Sequence, residues 1–214
     1  MEADAQSPGS TPWASLRRAA VLDRTEQAVV IVFFALLCER IIKSGNPLAS
    51  LTLISEATVV LCVLVRRPTT DISYQPLDWL LATIGTSGTL LVMPVHTSPE
   101  ILVVPAIIMI AAGNAFQLSA KLVMRRSFGI APANRGVKVA GPYRLVRHPM
   151  YAGYFAANIG ILMLMPSWFN LMIYLAAWTA QALRLQAEEK LLSKDPAYLA
   201  LKERVGFRVV PGIY

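Results

Sequence analysis

Apolar runs of helix length recur between residues 26 and 185, and the polar residues gather between these runs far more than inside them. A helix that crosses a bilayer needs about 20 predominantly apolar residues, somewhat fewer in short hairpins. Six segments approach that requirement: 26–42, 48–65, 77–95, 101–124, 151–165 and 168–185. Pro166-Ser167 separates the last two and reads as a tight helical hairpin. With a mean hydropathy of +0.51 and only 15% charged side chains, the chain is too apolar for an ordinary soluble domain. The expected fold is therefore all-α: a polytopic membrane bundle of five to six transmembrane helices, with a cytoplasmic loop and tail. Its parts are an N-terminal segment 1–25, transmembrane helices 26–124, and a region 125–214 that holds the hairpin and the longest polar stretches.

The net charge of +7 is distributed by topology. When loops are assigned alternately to two sides, all 20 Lys and Arg fall on one side except Arg40 and Lys43. Cytoplasmic loops are enriched in these residues, so both termini are expected in the cytoplasm. The basic residues flank apolar segments and do not interleave with aromatics on one surface, which argues against a nucleic-acid partner. Cys38 and Cys62 lie inside apolar runs, where they read as small buried hydrophobes and indicate neither a disulfide framework nor a metal site. The N-terminal stretch lacks the apolar core and cleavage site of a signal peptide, and 13–24 is amphipathic enough to lie along the membrane interface.

Two polar stretches remain for chemistry, 125–149 and 187–214, both on the cytoplasmic side. The first leads into Gly141-Pro142-Tyr143-Arg144-Leu145-Val146-Arg147-His148-Pro149-Met150-Tyr151-Ala152-Gly153. Gly141-Pro142 makes a turn, and Pro149 suits the first position of a helix, where no amide hydrogen is needed. The free amides of that helix start, with Arg147 and His148, would form an anion-receptive site at the membrane surface. In the second stretch, Gln181, Arg184 and Glu188 are spaced i, i+3, i+7 and share one helix face running from bilayer to cytosol. Glu188 and Glu189 stand near a helix C-terminus, where the dipole disfavours carboxylates. Their placement points to a use other than helix stability, and a cationic ligand would suit them.

The two blocks together resemble the isoprenylcysteine carboxyl methyltransferase family and its relatives, the membrane phospholipid methyltransferases. The resemblance runs over about residues 127–212. It implies S-adenosylmethionine as cofactor, held by the loop and tail without a strand-bound glycine fingerprint. On matched motifs, Gly141, Pro142, Tyr143, His148, Tyr151 and Gly153 resemble the family's cofactor-binding segment, to which the helix-start reading adds Arg147 and Pro149. Glu188 or Glu189 resembles the acidic cofactor contact, and Tyr198 and Arg208 match positions near the cofactor or the substrate head group. The tail departs from the family pattern at Ser193-Lys194-Asp195-Pro196, where a Phe-Gly pair is common, and at Leu201, where a second tyrosine is common.

The resemblance implies a lipid or prenylated acceptor drawn from the bilayer. A carboxylate acceptor, with an ordinary pKa of about 3.5, is already ionised and needs no base, and Arg208 would orient it through paired hydrogen bonds. An amine or thiol acceptor must lose a proton, to His148, Glu188 or Tyr198. Glu56, near the middle of the second apolar segment, is expensive there and reads either as a substrate contact or as a structural partner of Asn114, Gln117, Asn158 or Gln181. Asn114 and Gln117 share a helix face with Lys121, and with Arg184 they complete the candidate substrate-binding set. Gly85, Ser87 and Gly88 read as close helix packing, and His96 as an exposed loop residue. A nicotinamide-dependent membrane reductase is the rival enzyme reading, which the Glu-Glu pair disfavours because carboxylates repel a nucleotide's phosphates. A transporter would show paired broken helices or inverted repeats.

Overall fold

The computed structural model describes residues 12–45, 50–67, 69, 72–87, 91–93, 99–129 and 132–213. Among them the chain forms helices α1 (Pro12–Ser44), α2 (Ser50–Leu64), α3 (Pro76–Ser87), α4 (Glu100–Met124), α5 (Pro149–Leu164), α6 (Trp168–Leu192) and α7 (Pro196–Arg204). The only strand-like pairing among them is a single bridge between Ile72 and Ala133. All six apolar segments are helical over at least part of their length. The hairpin falls where expected: α5 stops at Leu164, and the Ser167 hydroxyl accepts from the Asn170 amide to cap α6.

Among the described residues one helix, Glu100–Ser127, is long and apolar enough to cross a membrane by length and composition, and just 17% of its apolar window is buried within the protein. Ile101, Val104 and Ile108 on α4, Val32 and Leu36 on α1, and Met172 and Leu175 on α6 are exposed in the same way. The expected count of five to six spans goes further than this. Helices α2, α3 and α5 have 15, 12 and 16 residues, short of the ~20 that a full crossing takes. Helix α1 runs unbroken for 33 residues, from Pro12 through residue 25 to Ser44.

α4 and α5 make the closest contact in the bundle, set by glycines. A Cβ added at Gly153 would stand 2.6 Å from the Gly113 carbonyl oxygen and 2.7 Å from Gln117 Cβ and N. One at Gly160 would stand 2.7 Å from the Ala106 carbonyl oxygen. These neighbours are mostly backbone, so neither helix can yield locally, and small residues are what allow such an approach. Gly153→Ala is expected to cost about 2 kcal/mol or more by overpacking. The readout is a melting temperature in detergent several degrees below wild type, with Gly206→Ala as control, since a Cβ there meets nothing within 4 Å. Equal melting of the two variants would contradict the close approach. Gly85 packs as expected, against Gln181, whose amide donates to the Gly85 carbonyl at 3.2 Å. The Ser87 side chain and Gly88 lie outside the described residues.

An ion-pair knot that no sequence spacing announced ties α1 and α2 to the loop after α4. Asp23 of α1 accepts from Arg66 at 2.8 Å and from Arg135 at 2.9 Å, while Glu26 pairs with Arg66 at 2.7 Å. Both guanidinium groups are buried, so removing Asp23 would strip Arg135 of its ion-pair partner among the described residues, whereas Arg66 would keep Glu26. The loop is fastened further by Arg67 N donating to the Arg126 carbonyl at 2.7 Å, and by Ser127 Oγ donating to the Arg135 carbonyl at 2.8 Å. At the opposite end of the bundle, buried Asn170 exchanges hydrogen bonds with the Met93 backbone at 2.9 and 3.0 Å and donates to the Met165 carbonyl at 2.9 Å.

Candidate functional site

The site is built where α5 begins. Gly141 takes φ +58°, a left-handed conformation natural to glycine, and opens a 3-10 turn, Gly141–Arg144. That turn buries Tyr143, and Pro149 then occupies the first turn of α5 as the sequence implied. His148 stands at the N-cap, but its side chain makes no capping hydrogen bond. Helix capping therefore does not account for its imidazole, which turns instead toward the acidic pair on α6.

The tail lies back over this start. Arg147 N donates to the Phe207 carbonyl at 3.0 Å and His148 N to the Arg208 carbonyl at 2.8 Å. Glu189 is the hub beneath them. Its Oε1 accepts from Arg147 Nε at 2.9 Å and from the Tyr198 hydroxyl at 3.1 Å, with His148 Nε2 at 3.3 Å, and its Oε2 accepts from Arg208 Nε at 2.9 Å. Burial alone would push the Glu189 carboxyl up, but the hydrogen bonds and charges of His148 and Arg147 outweigh it and hold the group well below the usual carboxylate range. Arg147 completes the clasp by donating Nη1 to the Val205 and Gly206 carbonyls at 2.8 and 3.0 Å. Burial, and secondarily Glu189, push the Tyr198 hydroxyl above its ordinary range.

Glu188, one residue earlier and so rotated about 100° around the helix, faces other partners. Its Oε1 accepts from the Tyr151 hydroxyl at 2.8 Å and from Arg184 Nε at 3.2 Å. Its Oε2 lies 3.9 Å from His148 Nδ1, too long for a hydrogen bond. The Arg184 guanidinium sits 5.4 Å from the centre of the Tyr151 ring. Arg184 and Glu188 are therefore more than an exposed i, i+4 pair, since Arg184 is buried and an aromatic face completes the contact.

Between these elements and the loop after α4 lies a cleft, part of it open to solvent. Of the expected cofactor-binding residues, Tyr143, Arg147, His148, Tyr151 and Glu188 line it; of the expected catalytic residues, Glu188 and Tyr198 do. Gly141, Pro142, Pro149 and Glu189 are not among its lining residues and act as the frame. Gly153 faces α4 and serves helix packing. Arg208 meets the site through Glu189 and is not among the lining residues. Arg184 stands behind Glu188, and Asn114 accepts from Gln117 at 2.6 Å on α4; none of these three lines the cleft. The side chain of Glu56, and His96, lie outside the described residues.

Sequence reasoning passed over two charged residues of the lining, Arg135 and Lys138. The loop was visibly basic, but composition does not tell which of its cations turns inward. Burial, and next the neighbouring Arg66, pull the Arg135 pKa below its ordinary value. The tail's departures from the family pattern have local packing or capping contacts, and Leu201 also lines the cleft. Asp195 caps α7 by accepting from the Ala197 amide at 2.9 Å, and Leu201 packs with Tyr198 and Val205.

Residues 101–195 match the phospholipid methyltransferase family model. The resemblance to the phospholipid methyltransferases read from the motifs thus holds over this stretch, which is less than half of the chain. The phospholipid methyltransferase segment runs from α4 to the cap of α7. It takes in the Tyr143-to-Gly153 block and both glutamates, and it leaves Tyr198 and Arg208 outside. No curated protein matches the chain.

Proposed function

We propose that the chain is an integral membrane methyltransferase that uses S-adenosylmethionine and acts on a lipid-like acceptor, with carboxyl O-methylation of an isoprenylcysteine-type substrate as the best-supported reaction. The observation that carries this reading is Glu188: a carboxylate on the cleft wall whose Oε1 is engaged by Tyr151 and Arg184 while Oε2 keeps acceptor capacity toward the cleft. A half-satisfied carboxylate among three tyrosine rings, Tyr143, Tyr151 and Tyr198, fits a cationic, aromatic-bearing cofactor. When bound, the cofactor supplies an electrophilic methyl group on sulfur.

The protein's own part is alignment and exclusion of water. Glu188 holds positive charge at the α6 wall. Glu189 carries no remaining appetite for a cation, because Arg147 and Arg208 neutralise it; its role is to fasten the tail over the start of α5. Arg208 then acts as a positioning residue through Glu189. A hydroxyl whose pKa is pushed up stays protonated at neutral pH, so Tyr198 serves as a hydrogen-bond donor and not as a base. Two candidates remain for a reaction that needs proton removal, His148 and Glu188, and both are held in ion pairs or hydrogen bonds. This favours an acceptor that is already ionised. Two or more membrane crossings with both termini cytoplasmic complete the proposal, since the basic loops converge on the cleft.

The direct experiment incubates the purified protein with methyl-labelled cofactor and a panel of prenylcysteine, phosphatidylethanolamine and thiol acceptors. Label released by mild base is expected, as an ester requires. Base-stable label would move the reaction to nitrogen or sulfur, and no transfer to any acceptor would remove the proposal.

A further inference from the structure

The charges lining the cleft are balanced with one exception. Arg147, to which the sequence assigned anion reception, commits Nε to Glu189 and Nη1 to two tail carbonyls. Arg135 commits Nη2 to Asp23 and Nε to the Arg67 carbonyl at 3.2 Å. Glu188 is matched by Arg184. The remaining charged residue of the lining, Lys138, is partly buried and has no ion pair or hydrogen bond among the described residues.

Lys138 is also firmly presented. Four residues before it, Asn134 donates to Asp195 Oδ2 at 2.9 Å and accepts from the Gly136 amide at 3.0 Å. Arg135 is gripped by Asp23, and Val137 packs against the Tyr198, Leu201 and Val205 cluster. A loop pinned on both sides thus carries an ammonium group, uncompensated, to the wall of a cleft. A lysine left to solvent by chance would need none of this anchoring, and an unmatched charge beside other cations is stabilised when a ligand brings the counter-charge.

We propose that Lys138 is the anion-binding residue of the cleft, taking a carboxylate or phosphate from one of the two substrates. This rests on the methyltransferase reading. A sulfonium cofactor brings net positive charge, and an anionic group lodged between it and Lys138 would relieve the repulsion of two cations in one cleft. The anion has two sources, the acceptor's head group and the cofactor's own α-carboxylate, and they separate experimentally.

The test uses the full-length protein in detergent as wild type, Lys138→Gln and Lys138→Arg. Binding of S-adenosylhomocysteine and of its decarboxylated analogue is measured by calorimetry. KM and kcat are measured with whichever of N-acetyl-S-farnesylcysteine and phosphatidylethanolamine accepts methyl. Lys138→Gln is expected to raise the acceptor KM about 10-fold, roughly the worth of one charge-assisted hydrogen bond, with kcat and S-adenosylhomocysteine affinity nearly unchanged. That outcome assigns the anion to the acceptor. A comparable loss in S-adenosylhomocysteine affinity that vanishes with the decarboxylated analogue assigns it to the cofactor. In either case Lys138→Arg restores most of the loss, and the melting temperature stays at the wild-type value because no internal partner is removed. Wild-type values throughout for Lys138→Gln would overturn the proposal. Failure of the wild-type protein to bind S-adenosylhomocysteine would instead overturn the methyltransferase reading, before any variant is compared.

Discussion

Glu189→Ala is expected to lower the melting temperature by about 10 °C and to abolish measurable binding of S-adenosylhomocysteine. Removing one partner of a buried ion pair leaves an uncompensated charge and costs roughly 3–5 kcal/mol, and in a chain of this size each kcal/mol moves the midpoint about 2–4 °C. Arg147 is the charge left behind, with a side chain 5% exposed. The tail should also loosen, because Tyr198 and Arg208 lose their shared acceptor. Acid supplies an independent check with a definite sign. The folded protein holds the Glu189 pKa below its ordinary 4.5, so the stabilisation is complete above about pH 4.5 and fades as pH falls toward the depressed folded value. Glu189→Gln should lack that acid-dependent component. If both variants melted and titrated like wild type, Glu189 would not be the hub.

The second large effect is chemical. Glu188→Gln keeps an oxygen for Tyr151 and Arg184, so its melting temperature should stay within a few degrees of wild type. Its affinity for S-adenosylhomocysteine should nevertheless fall about 10- to 100-fold, the range spanned by a hydrogen bond to a charged group at about 1.5–3 kcal/mol. Tyr151→Phe, which removes one hydrogen bond and leaves the carboxylate, should cost less than Glu188→Gln. The reverse ranking would mean that Glu188 serves only to orient Tyr151.

The two glutamates also show what a sequence can and cannot convey. Their adjacency marked the end of α6 as functional ground, and the dipole argument gave a reason. Neighbours on a helix diverge by about 100°, so one was bound to face away from whatever the other touched. Which one faces the cleft depends on the rotation of α6 against α5 and α7, and no local spacing encodes that. The frame of the site was more legible, since Gly141, Pro142 and Pro149 impose backbone geometry by themselves. The hairpin at Ser167 was legible for the same reason. The contact of Gly153 with α4 was not legible, because one residue type serves both for backbone approach to a ligand and for approach to another helix. Asp23, Arg66 and Arg135 escaped notice because their pairing spans up to 112 positions and leaves no periodic trace. Hydropathy does not by itself set the number of membrane crossings, because short helices such as α2 and α5 are apolar enough but not long enough.

The knot around Asp23 has a consequence for inheritance. Arg135 belongs to the family-matched stretch, while the acid that neutralises it sits on α1, far outside. A chimaera that transplanted 101–195 alone into a related scaffold would import a buried guanidinium and leave its counterion behind. Position 23 and position 135 should therefore drift together over evolutionary time, and the smallest portable unit must include the first helix.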